Sequence, residues 1–197
     1  MASPGQLVQV MADVLGLSKA TVTQYDRVLA ENGLRTRRGR GRSAAKVSSR
    51  DAACLLIALA ASPIANEAPS ICKHFCSLKW FQQEDDPRSS FSKLGVTALG
   101  VLPDEHCFGT ALSALIEAAG RDELARLLAE GAIFVHFNLG PPSSAHIVAK
   151  RSLKSRSVVR LVYFDVSGDA SPEADLSRIS MIGTPTIKAL GQLVHHG

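Results

Sequence analysis

The sequence is short of cysteine and has no long apolar run. Four cysteines in 197 residues are too few for a disulfide scaffold, so we expect reduced thiols and a cytoplasmic location. The longest apolar block, residues 52–61, is about half of what a bilayer crossing requires. Residues 1–34 hold no uninterrupted apolar stretch of the signal-peptide type. A disulfide-rich secreted domain and a helical membrane protein are therefore not expected.

Motifs that would name a reaction are missing too. The sequence has no Gly-x-x-x-x-Gly-Lys phosphate loop, no strand-linked Gly-x-Gly-x-x-Gly, no nucleophile elbow and no HExxH pattern. The acidic run from Asp165 to Asp175 is interpreted as a solvated loop rather than a magnesium site. We therefore expect no enzymatic activity and no cofactor.

The cysteines and histidines raise the question of a zinc site. Its ligands would be Cys72, His74 and Cys76 together with His106 and Cys107. Structural zinc sites usually use two matched ligand pairs, whereas the second pair here is a single His-Cys step. Cysteines four apart on a helix are also simply small apolar residues on one face, and a further cysteine, Cys54, lies in an apolar helix. No metal is expected.

Positive charge is concentrated near the start of the chain. Residues 1–50 hold nine Lys and Arg against three Asp and Glu, whereas the other 147 residues hold thirteen against fifteen. The run Arg35 to Arg42 contains five arginines and two glycines in eight residues, with no acid. Such a patch is typical of a protein that binds a polyanion, because each neutralised phosphate releases counterions. The alternative is a solvated basic arm without a specific partner.

Two helices joined by a tight turn are predicted at the start of the chain. Apolar residues at helical spacing predict a helix over residues 4–15, which Gly16 ends. Ser18 is a good N-cap for a second helix that runs to about Asn32 and stops at Gly33. This is the geometry of a helix-turn-helix, in which the second helix enters the major groove.

The arginine run is predicted to form a wing. Residues 34–37 and 43–47 are expected to form two short strands around a glycine-containing tip, which suits the minor groove. Ser48 and Asp51 then match a capping box at the start of a third helix that reaches about Ala61.

This layout resembles a known family. The segment Met11 to Ser18, with Val22 as a core residue, resembles the helix-turn-helix consensus of bacterial regulators. The order helix, recognition helix, arginine-bearing wing, helix over residues 4–61 resembles the mercury-resistance-regulator (MerR-like) and excisionase winged helices of bacterial or phage type. The same layout occurs in some phage small terminase subunits. After residue 61 the chain departs from the family, since prolines break any long dimerisation helix.

The predicted DNA-binding residues follow from the helix pattern and from this resemblance. On the second helix, Gln24 is expected to read adenine and Lys19 to read guanine, and the arginines are expected to grip phosphates or the minor groove. The full predicted set is Ser18, Lys19, Thr21, Thr23, Gln24, Arg27, Arg35, Arg37, Arg38, Arg40, Arg42 and Lys46.

The predicted fold class is α+β, with a winged helix-turn-helix followed by a domain that contains a small antiparallel sheet. We expect a DNA-binding domain at 1–62, a linker or helical connection at 63–105, and an oligomerisation or effector domain at 106–197.

Particular segments of the C-terminal part carry this expectation. Their predicted elements are a helix over 68–82, a loop over 84–90, two helices between 107 and 130 broken at Gly120, strands over 132–139, 146–151 and 158–166, and a strand then a helix over 178–195.

The sequence thus predicts a DNA-binding transcriptional regulator of bacterial or phage type that recognises a specific sequence. Its expected partners are double-stranded DNA, other copies of itself, and RNA polymerase or a phage protein, with no membrane; its expected location is the nucleoid. Two alternatives stay open. One is a phage small terminase subunit or another DNA-packaging protein, and the other is a ligand sensor or enzyme with a C-terminal pocket.

Overall fold

The structure is a computed structural model, and it describes residues 2–36, 46–81, 86–140, 142–152, 158–165 and 178–197. These residues form helices and one five-stranded antiparallel sheet, so the predicted α+β class is confirmed. No helix in these ranges combines the length and the apolarity that a bilayer crossing needs.

The helices and strands alternate in an irregular order along the chain. The helices are α1 (Pro4–Leu15), α2 (Lys19–Glu31), α3 (Ser49–Ala61), α4 (Ala68–Ser77), α5 (Pro87–Lys93), α6 (Thr97–Gly100), α7 (Phe108–Gly120), α8 (Ala125–Glu130) and α9 (Thr184–His196). The strands are β1 (Lys79–Trp80), β2 (Ala132–Asn138), β3 (Ser144–Lys150), β4 (Val158–Phe164) and β5 (Ile179–Gly183).

Local capping determines where the first three helices begin and end, as predicted. Ser3 caps α1 in a capping box, and Gly16 ends that helix with a φ of 64°, a conformation that glycine adopts without strain. The Ser18 side chain caps α2. Ser48 and Asp51 form the expected capping box at the start of α3. The bounds of the three helices agree with the predicted ones to within one residue.

The sheet has the strand order β1-β4-β3-β2-β5, and every neighbouring pair is antiparallel. Strands β2, β3 and β4 confirm the three predicted segments, and β5 followed by α9 confirms the predicted final strand and helix. Alternate side chains of the central strands are buried in the core, as period-two patterning requires. They are Ile133, Val135, Phe137, Ala145, Ile147, Ala149, Leu161 and Tyr163.

Two predictions between α4 and α6 are wrong in part. The helix expected over 68–82 ends at Ser77, because the chain turns there into β1, which pairs with β4 at the edge of the sheet. The loop expected over 84–90 becomes helix α5 from Pro87 onward. The Asp86 side chain accepts a hydrogen bond from the backbone N–H of Arg88 at 2.9 Å, and proline fits the first helical position.

One continuous hydrophobic core joins the two ends of the chain. Buried residues of α1–α3 belong to the same cluster as those of α7, α9 and the sheet, and α1 packs directly on α9. Helices α7 and α9 approach closely where Gly120 meets Gly191; a Cβ at Gly191 would lie 2.5 Å from the backbone nitrogen of Gly120. The division of the chain at residue 62 stays a prediction.

Candidate nucleic-acid interface

Helix α2 has one buried side and one exposed side. Val22, Tyr25 and Leu29 are buried, as predicted for its packing face. The Tyr25 hydroxyl donates a hydrogen bond of 3.0 Å to the carbonyl of Ser62 after α3, which ties α2 to the end of that helix. The buried side fixes the rotation of α2 about its axis, so the opposite side must face outward.

The outward side of α2 carries the residues predicted to read bases. All five side chains on it are exposed: Lys19, Ala20, Thr23, Gln24 and Arg27. The Nε of Arg27 lies 2.8 Å from Oε1 of Glu31. Both partners of this pair are more than half exposed, and exposed ion pairs stabilise a helix only slightly. Arg27 can therefore leave Glu31 for a phosphate at little energetic cost.

Hydrogen bonds within α2 limit what its hydroxyl groups can offer a partner. Ser18 Oγ accepts the Thr21 backbone N–H at 3.0 Å and lies 2.8 Å from the Thr21 hydroxyl. Thr23 donates its hydroxyl to the carbonyl of Lys19 at 2.7 Å. The Thr23 hydroxyl therefore has no proton left to donate to a base, although it can still accept, and its methyl group suits contact with a thymine methyl.

Arg35 is a correction to the predicted set. Its side chain is only 5% exposed, and its Nε and Nη2 lie 2.5 and 3.0 Å from the two carboxylate oxygens of Asp26. A buried ion pair of this kind holds the guanidinium inside the protein, because moving it away from Asp26 would break a charge-assisted contact in a desolvated environment. Arg35 is therefore a structural residue, not a phosphate contact.

Asp51 holds both flanks of the arginine-rich segment. One carboxylate oxygen, Oδ1, accepts the backbone N–H of Thr36 at 2.8 Å, and the other, Oδ2, accepts the backbone N–H of Ser48 at 2.9 Å. The hydroxyls of Thr36 and Ser48 also lie within hydrogen-bond distance of this carboxylate. Thr36 and Ser48, which flank the arginine-rich segment, are therefore both held at the start of α3.

The tip of the predicted wing lies outside the described residues. This applies to Arg37, Arg38, Arg40 and Arg42, whereas Lys46 is described and is exposed. Of the two predicted wing strands, the described portions at 34–36 and 46–47 are not strand.

The zinc ligand set considered from the sequence is not assembled. His106 lies between the carbonyl of Pro103, 2.6 Å from Nδ1, and the hydroxyl of Tyr163, 2.9 Å from Nε2. His74 faces Asp165 at 3.8 Å. Cys107 pairs instead with Thr110, their Sγ and Oγ1 atoms 3.3 Å apart. Each member of the predicted second ligand pair thus has a partner of its own.

Two acidic residues, Asp26 and Asp51, organise this region, and neither was predicted to hold the arginine-rich segment. Asp26 follows Thr23 by three positions and Lys19 by seven, so helical periodicity places it at the edge of the outward side of α2. Asp51 was predicted only as a helix cap. For Asp26 the available signal was an acid inside an otherwise basic stretch, since residues 19–50 contain only two acids, Asp26 and Glu31. Comparisons with protein-family models, curated proteins and solved structures give no match to this chain.

Proposed function

We propose that this chain binds double-stranded DNA, with the outward side of α2 in the major groove and the arginine-rich segment on phosphates or in the minor groove. The role that we propose is that of a sequence-specific regulator of bacterial or phage type. The observation that carries the proposal is the exposed side of α2, whose polar and small residues are directed away from the core; in the sequence, α2 directly precedes the most basic stretch of the chain.

The chemistry of that side supports base recognition. Gln24 is exposed and can form two hydrogen bonds to adenine, and Lys19 can donate to guanine acceptors. Ala20 and the Thr23 methyl group offer small apolar contacts of the kind that thymine methyls make. At the helix start, Ser18 and Thr21 stand where backbone N–H groups and the helix dipole attract a phosphate.

The anchoring of the arginine-rich segment supports a second contact. Arg35 fixes the chain on Asp26 of α2, and Asp51 fixes Thr36 and Ser48 on the start of α3. The segment between Thr36 and Ser48 carries four further arginines, and both of its ends are held at the start of α3. Phosphate contacts by these arginines would set affinity and register, whereas α2 would set specificity.

An oligomer is part of the proposal. A single recognition module buries only about 600–1,000 Å² on DNA, which limits its specificity. Two copies that bind adjacent half-sites would double the contact, and the spacing of the half-sites would report their arrangement.

The proposal is tested by replacing Gln24 with Ala after selection of bound duplexes from a random pool. Gln24→Ala should cost about 1–3 kcal/mol on the selected site and little on random DNA. Lys19→Ala should also weaken binding to the selected site, and fluorescence anisotropy with both duplexes gives the comparison.

The matched control is Lys188→Ala, which removes an exposed positive charge from α9, outside the proposed interface. Its affinity for both duplexes should equal that of the unaltered protein. If Gln24→Ala loses the same affinity on random DNA as on the selected site, Gln24 does not read bases. If no duplex is enriched by selection, the sequence-specific role is wrong.

A further inference from the structure

Three cysteine sulfurs meet at the junction of α3 and α4. Cys54 comes from α3, and Cys72 and Cys76 lie one turn apart on α4. Each of the three Sγ atoms lies within 4.8 Å of the other two, and those of Cys72 and Cys76 are 3.9 Å apart. All are free thiols; Cys54 and Cys72 are buried and Cys76 is half-buried.

These separations suit thiolates that share one metal ion. Two sulfurs bound to a tetrahedral Zn²⁺ at about 2.3 Å are about 3.8 Å apart. The separation of Cys72 and Cys76 matches this value, and no separation in the cluster exceeds it by more than about 1 Å. Packing alone also buries cysteine, but it does not require three sulfurs from two helices to converge on a common point.

A cavity of about 620 Å³ opens beside the cluster, lined by residues of α3, α4 and α7. Cys54 and Cys76 stand in its wall, whereas Cys72 does not line it. A metal held by the three sulfurs would therefore have its fourth position directed to the cavity, the arrangement of zinc sites that exchange a water or ligand. Arg50 and Lys73 also line the cavity and would offset the negative charge of the thiolates, although Glu117 lies there too.

Hydrogen bonds of the thiols hold the cluster together. The Cys72 thiol donates to the backbone carbonyl oxygen of Cys54, with its Sγ 3.5 Å from that oxygen, and this hydrogen bond ties α4 to α3. A metal ion would displace the thiol protons, as thiolate ligation requires.

We propose that Cys54, Cys72 and Cys76 bind one soft divalent cation of the Zn²⁺ class, with the fourth coordination position open to the cavity between α3, α4 and α7. Soft thiolate ligands select such ions over Mg²⁺ or Ca²⁺, which take oxygen ligands. The site is separate from the outward side of α2, so its occupancy is measured without DNA.

The test is a titration of the reduced full-length protein with Zn²⁺ alone, followed by competition with a chromophoric chelator. One Zn²⁺ should bind per chain, and Co²⁺ in its place should give the thiolate charge-transfer bands of a tetrahedral site. Loss of an outer-shell partner alone costs about 10–100-fold in affinity, so Cys76→Ser and Cys54→Ser should each cost at least about 100-fold. Circular dichroism checks that each variant is folded. The cobalt spectrum of the unaltered protein tests the site even if a variant does not fold.

The matched control is Cys107→Ser, because Cys107 lines the same cavity but lies outside the cluster of three sulfurs. It should bind Zn²⁺ as tightly as the unaltered protein. The proposal is overturned if reduced protein binds no Zn²⁺ and gives no cobalt–thiolate bands. It is also overturned if Cys107→Ser loses as much affinity as Cys76→Ser, or if the purified protein carries a Cys72–Cys76 disulfide in place of metal.

Discussion

The N-terminal helices and the C-terminal sheet differ in charge but share a core. Residues 1–50 carry a threefold excess of basic over acidic residues, whereas the remainder is slightly acidic. Yet α1 packs on α9, and one buried cluster runs through both regions. Charge is therefore segregated along the chain although packing is not. The charge pattern therefore does not mark a boundary in the packing of the described residues.

The largest loss of stability is expected from replacing Arg35, a basic residue that is buried. Arg35→Ala breaks the buried ion pair with Asp26, so the free energy of unfolding should fall by about 3–5 kcal/mol. Arg27→Ala removes an exposed arginine from the same region and should change it by less than about 0.5 kcal/mol. Urea unfolding of both variants makes the comparison. Equal losses would mean that the pair with Asp26 has no special role.

The next effect tests whether the two regions unfold together. Leu190→Ala creates a cavity in α9 and should cost about 2–5 kcal/mol, because Leu190 is fully buried. Hydrogen exchange should then show α1 losing protection together with the sheet. Leu193→Ala, at a half-buried position of the same helix, should cost less. Protection of α1 that is unaffected by Leu190→Ala would divide the molecule into two units.

A smaller loss of stability is expected in mild acid. The histidines that titrate there all lie outside residues 1–50. Burial lowers the pKa of His106, His136 and His146, and the charge of Arg160 adds to this for the last two. No histidine precedes residue 74. Each of the three has a folded pKa below its unfolded value of about 6.5, so the unfolded chain takes up more protons. The stability they contribute is complete above that value and is lost as the pH falls through it toward the lowered pKa.

Urea unfolding at intervals between pH 8 and pH 5 measures this dependence, since histidine is the side chain that ordinarily titrates there. His146→Gln should flatten the curve. Stability that rises on acidification would reverse the assigned direction of the shifts.

Local signals made the first third of the fold predictable. The caps at Ser3, Ser18 and Ser48 and the turn at Gly16 are short-range features, and they placed α1–α3 correctly. Strands β2–β4 were recognisable from their β-branched and aromatic residues. The edge strand β1 was not, because two residues carry no periodicity and their pairing with β4 spans more than 80 positions.

Site residues were less predictable, because their roles depend on partners that are distant in the sequence. Arg35 belongs to the arginine run by composition, but the position of Asp26 on α2 draws it inside. Cys54 matches an apolar helix pattern, and only the packing of α3 on α4 brings it to Cys72 and Cys76. The outward side of α2 was predictable, since helical period and buried residues alone determine it.

The most direct test of DNA binding is the affinity of the full-length protein for duplex DNA across salt concentrations, beside a variant with Arg37, Arg38 and Arg40 replaced by Ala. The logarithm of the unaltered protein's binding constant should fall linearly with the logarithm of the salt concentration. The variant should bind more weakly, with a slope reduced by up to about three units. Equal affinities and slopes for the two proteins, or no binding even in dilute buffer, would contradict the proposed interface.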